Sequence, residues 1–303
     1  MAKTLPYLRS STGLNTVDDP TRIRYKSKSG ISDLAVAVNV MISPSGRINR
    51  RTGKTLKVPL DAHSLFCDGG ECVFVHDAGL YLLETNFSYR LLRSLSSNNL
   101  MAYAQVGDRI YFTNNQTLGY VENGIACTWA KTRDYVGPVT QRIFTGPFPG
   151  NHLAYHGGRI YISKGNILWY SEYGALDWYD MARNFFLFNT HIRMIKPMTY
   201  GLFVSTEKAI YFLKGLVPGD MVQSKLTTYP ALEWSDAIDY VDGTDIPEFE
   251  ISGPCALWIT REGAMLGTQE GGVINLNKKK VVYPQGTKGR SLLRGLNFIH
   301  TIE

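Results

Sequence analysis

The sequence predicts an all-β fold, a β-propeller of five or six blades that carries an extended N-terminal arm. Three observations lead there. A phrase made of an apolar run, a tight turn and a second apolar run recurs along the chain. Its copies fall at the interval of propeller blades. The composition favours pleated, turn-rich structure, with 12% aromatic residues, 29 Gly and 13 Pro among 303 residues.

The clearest copies are Arg109-Ile110-Tyr111-Phe112, then Asn114-Asn115, then Leu118-Gly119-Tyr120, and Arg159-Ile160-Tyr161-Ile162, then Gly165-Asn166, then Leu168-Trp169-Tyr170. Weaker copies begin at Val73, Leu202 and Leu257, and a degenerate one at Val40-Met41-Ile42 with Ile48 after Pro44-Ser45-Gly46. Counted from the first apolar residue of each copy (Val40, Val73, Ile110, Ile160, Leu202 and Leu257), successive spacings are 33, 37, 50, 42 and 55 residues. Each copy reads as strand, Gly/Asn/Asp turn, strand, with further strands in the variable remainder. The apolar runs are short and nearly continuous, as in strands covered on both faces, so the sheets must stack in a ring. A solenoid would need a stricter period, and two sandwiches would not explain the shared phrase. The C-terminal run Leu292–Ile299 is expected to be one strand, pairing with Leu34–Val40 to close the ring.

Two segments fall outside the blades. Residues 1–33 are polar, basic and turn-rich and form the arm, and the propeller occupies 34–303. Residues 235–250 hold Asp236, Asp239, Asp242, Asp245, Glu248 and Glu250 and read as an acidic insertion before the last repeat.

The net charge is +6, yet the first 57 residues contain 11 Lys/Arg against 3 Asp, so the remainder is close to neutral. Arg22, Arg24, Lys26 and Lys28 alternate, and an extended chain would show them on one side, a pattern that could meet phosphate. No helix-turn-helix, RNA-stacking or zinc motif accompanies them, so a solvated or protein-contacting arm is preferred to nucleic-acid binding. A basic arm and an acidic loop in one chain suit head-to-tail assembly. The candidate assembly residues are therefore Arg9, Arg22, Arg24, Lys26 and Lys28, with Asp236, Asp239, Asp242 and Asp245 opposite them.

Motifs of catalysis and ligand binding are scarce. His152 and His156 form H-x-x-x-H on a strand pattern without the zinc-peptidase Glu. Cys67 and Cys72 flank a probable turn and are expected as reduced thiols, with a hairpin disulfide as the alternative; four cysteines do not build a scaffold. The acidic segment departs from calcium-loop spacing. No phosphate loop or nucleophile elbow occurs. A propeller glycosidase would place acids at the starts of innermost strands, here taken as Cys72, Arg109, Arg159, Gly201 and Ala256, none of them acidic. The arginines there either line the channel or pair with an acid such as Asp108. No cofactor, metal or catalytic residue is expected. No apolar run is long enough to span a membrane, and Met1–Pro6 does not read as a secretory signal.

Several phrases resemble a known group. Gly13-Leu14-Asn15, Ala37-Val38-Asn39-Val40 and Gly46-Arg47-Ile48-Asn49-Arg50-Arg51-Thr52-Gly53 are similar to the opening of β-propeller structural proteins of tailed bacteriophages. Ile167–Gly174 followed by Trp178, and Gly201–Tyr211 followed by Gly215, continue the likeness in the same order, and it fades after residue 220. The resemblance implies a non-enzymatic virion component of the tail nozzle, DNA-stabilisation or tail-tip baseplate type. It would assemble in the host cytoplasm as an oligomer with copies of itself and other tail proteins. Trp178, Tyr179 and Trp234 then read as interface aromatics or as core. The alternative is a propeller that recognises host cell-surface glycans, with Trp178, Trp234 and Trp258 as stacking platforms.

Overall fold

The structure, a computed structural model, describes residues 10–23, 31–43, 45–68, 70–132, 142–241, 251–277, 280–283, 286, 288–294 and 297–303. It is an all-β propeller. Ahead of the blades, β1 (Ser10–Leu14) pairs in parallel with β2 (Ile31–Leu34), and β3 (Val40–Ile42) forms a hairpin with β4 (Ile48–Arg50). The first blade is β5 (His63–Asp68), β6 (Glu71–His76), β7 (Gly79–Leu83) and β8 (Tyr89–Ser94). The second is β9 (Ala102–Val106), β10 (Arg109–Thr113), β11 (Leu118–Glu122) and β12 (Ile125–Cys127). The third is β13 (His152–His156), β14 (Arg159–Lys164), β15 (Ile167–Tyr170) and β16 (Phe185–Leu187). The fourth is β17 (Ile192–Met198), β18 (Gly201–Thr206), β19 (Ile210–Lys214) and β20 (Val222–Thr227). The fifth is β21 (Ala237–Val241), β22 (Gly253–Thr260), β23 (Gly263–Gly267) and β24 (Val273–Asn275). A hairpin of β25 (Gly289–Arg294) and β26 (Asn297–Ile302) follows and supplies a sixth wall to the centre.

The period of two in a strand explains why the second strand of each blade carries an unbroken apolar run at its centre. Ile110 and Phe112 pack on Val73, Val75 and Leu80 of the first blade, whereas Tyr111 between them packs on Ile160 and Ile162 of the third. Tyr161 faces the other way, onto Leu202 and Val204 of the fourth, whose own Phe203 meets Ala256 and Trp258 of the fifth. Leu257 and Cys255 then turn towards Leu293 and Phe298 of the last hairpin. Each of these interfaces is thus built from alternate residues of one run, and a lone blade would leave half of them in water.

Tight turns set the strand register. Gly157 and Gly158, at φ 54 and 75, turn β13 into β14, and a Cβ at Gly157 would sit 2.5 Å from the Leu216 carbonyl oxygen.

Four sequence expectations need correction. The phrase that recurs is formed by the second and third strands of each blade, not the innermost and second. Arg109 and Arg159 therefore stand off the channel. Arg109 Nε donates to Glu122 at 2.9 Å and Arg159 Nη1 to the Ser171 carbonyl at 2.9 Å. Leu292–Ile299 is not a single strand paired with Leu34–Val40 but parts of the β25–β26 hairpin, which packs on the fifth blade. Ala237–Val241, placed in the acidic insertion, is the first strand of that blade, in register with Gly253–Leu257. Cys67 and Cys72, opposite one another in β5 and β6, are joined as a disulfide.

The described part of the N-terminal segment is also tied to its own chain. Lys280 Nζ donates to the Thr12 carbonyl at 3.0 Å and to Asp33 at 3.2 Å, and Thr16 N donates to the Lys280 carbonyl at 2.7 Å.

Candidate functional site

The first strand of each blade is the innermost one, and residues of these strands converge on the mouth of the central channel. Ser64 and Phe66 of β5, Tyr103 of β9, His152 of β13, Lys196 of β17, Asp236 just ahead of β21 and Ser291 of β25 line a cavity of roughly 470 Å³. Its wall is mixed, with Leu65, Leu100, Met101, Leu153 and Ile195 between the polar groups.

The segment 232–236 is fixed before it reaches the site. Ser235 Oγ donates to the Leu232 carbonyl at 2.7 Å and accepts from Ile259 N at 3.1 Å. Ser291 Oγ donates to the Ser235 carbonyl at 2.7 Å, and Gly289 N to the Glu233 carbonyl at 2.8 Å. Trp234 between them has a left-handed backbone, φ 66, a conformation costly for a bulky residue unless its surroundings enforce it. Its half-buried ring lies 4.7 Å from that of His152.

His152 is buried, and its Nε2 has no hydrogen-bond partner among the described residues; the nearest acid, Glu233, is 3.9 Å away. Burial pushes the imidazole pKa down to about 4, against the pull of Asp236 and with the push of Lys196, so the ring is neutral at pH 7. Burial likewise raises the Glu233 carboxyl, opposed by Lys288 and Arg193. Lys196 Nζ sits 2.6 Å from Asp236 Oδ2, and Arg290 lies 3.8 Å from Glu303. The mouth offers a donor and an acceptor side by side, a neutral imidazole and an indole face. Among the described residues no three His, Cys, Asp or Glu side chains are grouped to hold a metal ion.

Of the candidate assembly residues, Arg9, Arg24, Lys26, Lys28, Asp242 and Asp245 lie outside the described residues. Arg22 ends a short 3-10 turn, Pro20–Arg22, and Asp239 lies in β21. Asp236 has a side chain 12% exposed, which faces Lys196 of its own chain in the channel. Trp178, Tyr179 and Trp258 are buried in the core and cannot act as surface platforms; Trp234 alone of those named borders a cavity. Lys196 carried no signal of spacing. His152 was visible only as half of a histidine pair, whose other member, His156, bonds the Gly215 carbonyl at 3.0 Å at the far end of β13. Because β5, β9, β13, β17 and β21 are innermost, Cys72, Arg109, Arg159, Gly201 and Ala256 are not the channel positions, and one acid, Asp236, does line the cavity.

No family model and no curated protein matches the chain. Solved structures match it in fold. The N-terminal domain of BBS1, crystallised with ARL6, is 12% identical over 85% of this chain and 80% of its own, with a TM-score of 0.50. Virginiamycin B lyase from Staphylococcus aureus is 12% identical over 87% and 85%, with a TM-score of 0.48. The extracellular domain of a hybrid two component system from B. thetaiotaomicron is 12% identical over 78% of this chain, with a TM-score of 0.46, and the chain spans only 30% of it. Likeness at this level is one of architecture.

Proposed function

We propose that the chain is a non-enzymatic structural component of a tailed-phage virion, in the tail or its baseplate and tip, which works through its surfaces. The observation that carries the reading is the rim of the ring. Leu91 of β8, Ile125 of β12, Leu187 of β16 and Val222 of β20 are each more than half exposed, on the outermost strands of four successive blades. Outer strands end their sheets with unpaired backbone groups, and apolar side chains beside such edges invite another protein. On the face opposite the channel mouth, Tyr173, Tyr200, Leu216 and Val217 are exposed around the Gly157–Gly158 turn. The phrases that resemble phage propellers serve the fold: Glu172 binds Arg142 beside the buried Asp180, and Ser205 Oγ receives Ala231 N at 2.9 Å.

The test is mass spectrometry of gradient-purified virions, with electron microscopy of particles decorated by a specific Fab. The chain should occur at fixed stoichiometry with tail proteins and the label should mark one station of the tail. Infectious particles that lack the chain would overturn the reading.

A further inference from the structure

We propose that the channel mouth binds a neutral polyhydroxyl ligand, a hexose unit of a glycan, between Trp234 and the Lys196–Asp236 pair. The inference does not depend on the virion reading and adds a ligand to the propeller whatever its station.

Charge selects the class. Lys196 is matched by Asp236 at 2.6 Å and Arg290 faces Glu303 at 3.8 Å, while His152 is uncharged. An anionic ligand would have to take Lys196 from its carboxylate, and a cation would have to take Asp236 from its ammonium. A neutral diol breaks neither contact. One hydroxyl accepts from Lys196 and its neighbour donates to Asp236, and charge-assisted bonds of this kind are the strong ones. Vicinal hydroxyls lie about a hydrogen-bond length apart, which matches the separation of the two charged atoms.

The rest of the wall suits a sugar's other surface. A pyranose ring has an apolar face of C–H groups, and Trp234 supplies a flat apolar partner at the cavity edge. Buried polar atoms nearly always have partners, so the unpaired Nε2 of His152 beneath that indole marks a place for a ligand oxygen. A cavity of roughly 470 Å³ lies within the range of small-molecule sites.

The experiment is saturation-transfer NMR and tryptophan fluorescence on the intact chain with glucose, galactose, N-acetylglucosamine and their linked dimers and tetramers, and with glucuronate as the charged control. Neutral sugars should bind and shift the fluorescence, and glucuronate should bind more weakly than glucose. Asp236→Asn should weaken binding about tenfold, the loss of one charge-assisted bond. Trp234→Phe, which keeps an aromatic ring and the fold, should abolish the fluorescence change and reduce binding. Urea melts of both variants establish that they are folded. The proposal fails if no neutral sugar binds the folded wild-type chain, if both variants bind as well as wild type, or if glucuronate is preferred.

Discussion

Lys196 and Asp236 meet across two blades, Nζ to Oδ2 at 2.6 Å, with side chains only 23% and 12% exposed. Neither is on the surface where single charges are cheap, and each is the other's main compensation for leaving water. Such a pair contributes little against two apolar residues, but removing one partner strands the other. Lys196→Met alone is therefore expected to cost about 2–4 kcal/mol, and so is Asp236→Asn, with the double variant costing clearly less than the sum. Urea unfolding of the four proteins measures the cycle. Additive losses would mean that the contact is not made in solution.

The neighbouring His152 makes the fold sensitive to acid. Its folded pKa, about 4, lies below the ordinary value of 6.5, so below pH 6.5 the unfolded chain binds the extra proton and the folded chain does not. The stability conferred by this depression is complete above pH 6.5 and is lost as pH falls towards 4. At roughly 1.4 kcal/mol per unit the loss amounts to about 3 kcal/mol. His156 and His300, lowered by burial too, act in the same direction, whereas the Glu233 carboxyl, raised by burial, opposes them at the acid end of the range. Denaturation midpoints between pH 4 and 7 should rise with pH, and His152→Leu should flatten that slope.

The Cys67–Cys72 bridge spans a sequence separation of 5 residues at the first blade's innermost hairpin. A loop this short removes little entropy from the unfolded chain, so the bridge should stabilise by about 2 kcal/mol. The Cys67→Ser/Cys72→Ser protein should unfold at correspondingly lower urea, and wild type in excess reductant should match it. Thiol labelling of the native protein before and after reduction shows whether the bond is present.

The repeat was legible because alternate residues of one strand must satisfy two neighbouring blades, which writes an unbroken apolar run such as Ile110-Tyr111-Phe112 into the sequence. The rank of that strand in its blade was not. The innermost strand, His152-Leu153-Ala154-Tyr155-His156 in the third blade, mixes polar and apolar residues because one end meets the channel. A turn just ahead of the phrase, Gly157-Gly158 before Arg159 or Gly107-Asp108 before Arg109, was the available sign that another strand precedes it. Gly295 likewise interrupts the apolar run Leu292–Ile299 in the sequence and argues against one unbroken strand there. The channel mouth was hidden for a different reason. Lys196, Asp236 and His152 come from three successive blades, and only the stacking of those blades brings them together, so no local spacing could reveal the group.

Trp258 and Trp234 separate what holds the ring from what borders its channel. Trp258 is fully buried, packed on Phe203 at 5.2 Å between ring centroids, where the fourth and fifth blades meet. The indole lies directly against Gly267, where a Cβ would come within 2.6 Å of it, so the ring fills the space between the strands. Trp258→Ala should therefore leave a cavity and cost about 3–5 kcal/mol. Trp234 is half-buried and held at positive φ by bonds made by its neighbours' backbones rather than by its own ring. Trp234→Gly relieves that backbone, so it should lose much less, and its net cost should stay below about 2 kcal/mol. Chemical denaturation of both variants gives the comparison, and near-ultraviolet circular dichroism shows whether the remaining aromatic packing persists. Equal losses would mean that the 232–236 segment belongs to the core and that its indole is not free to serve the channel.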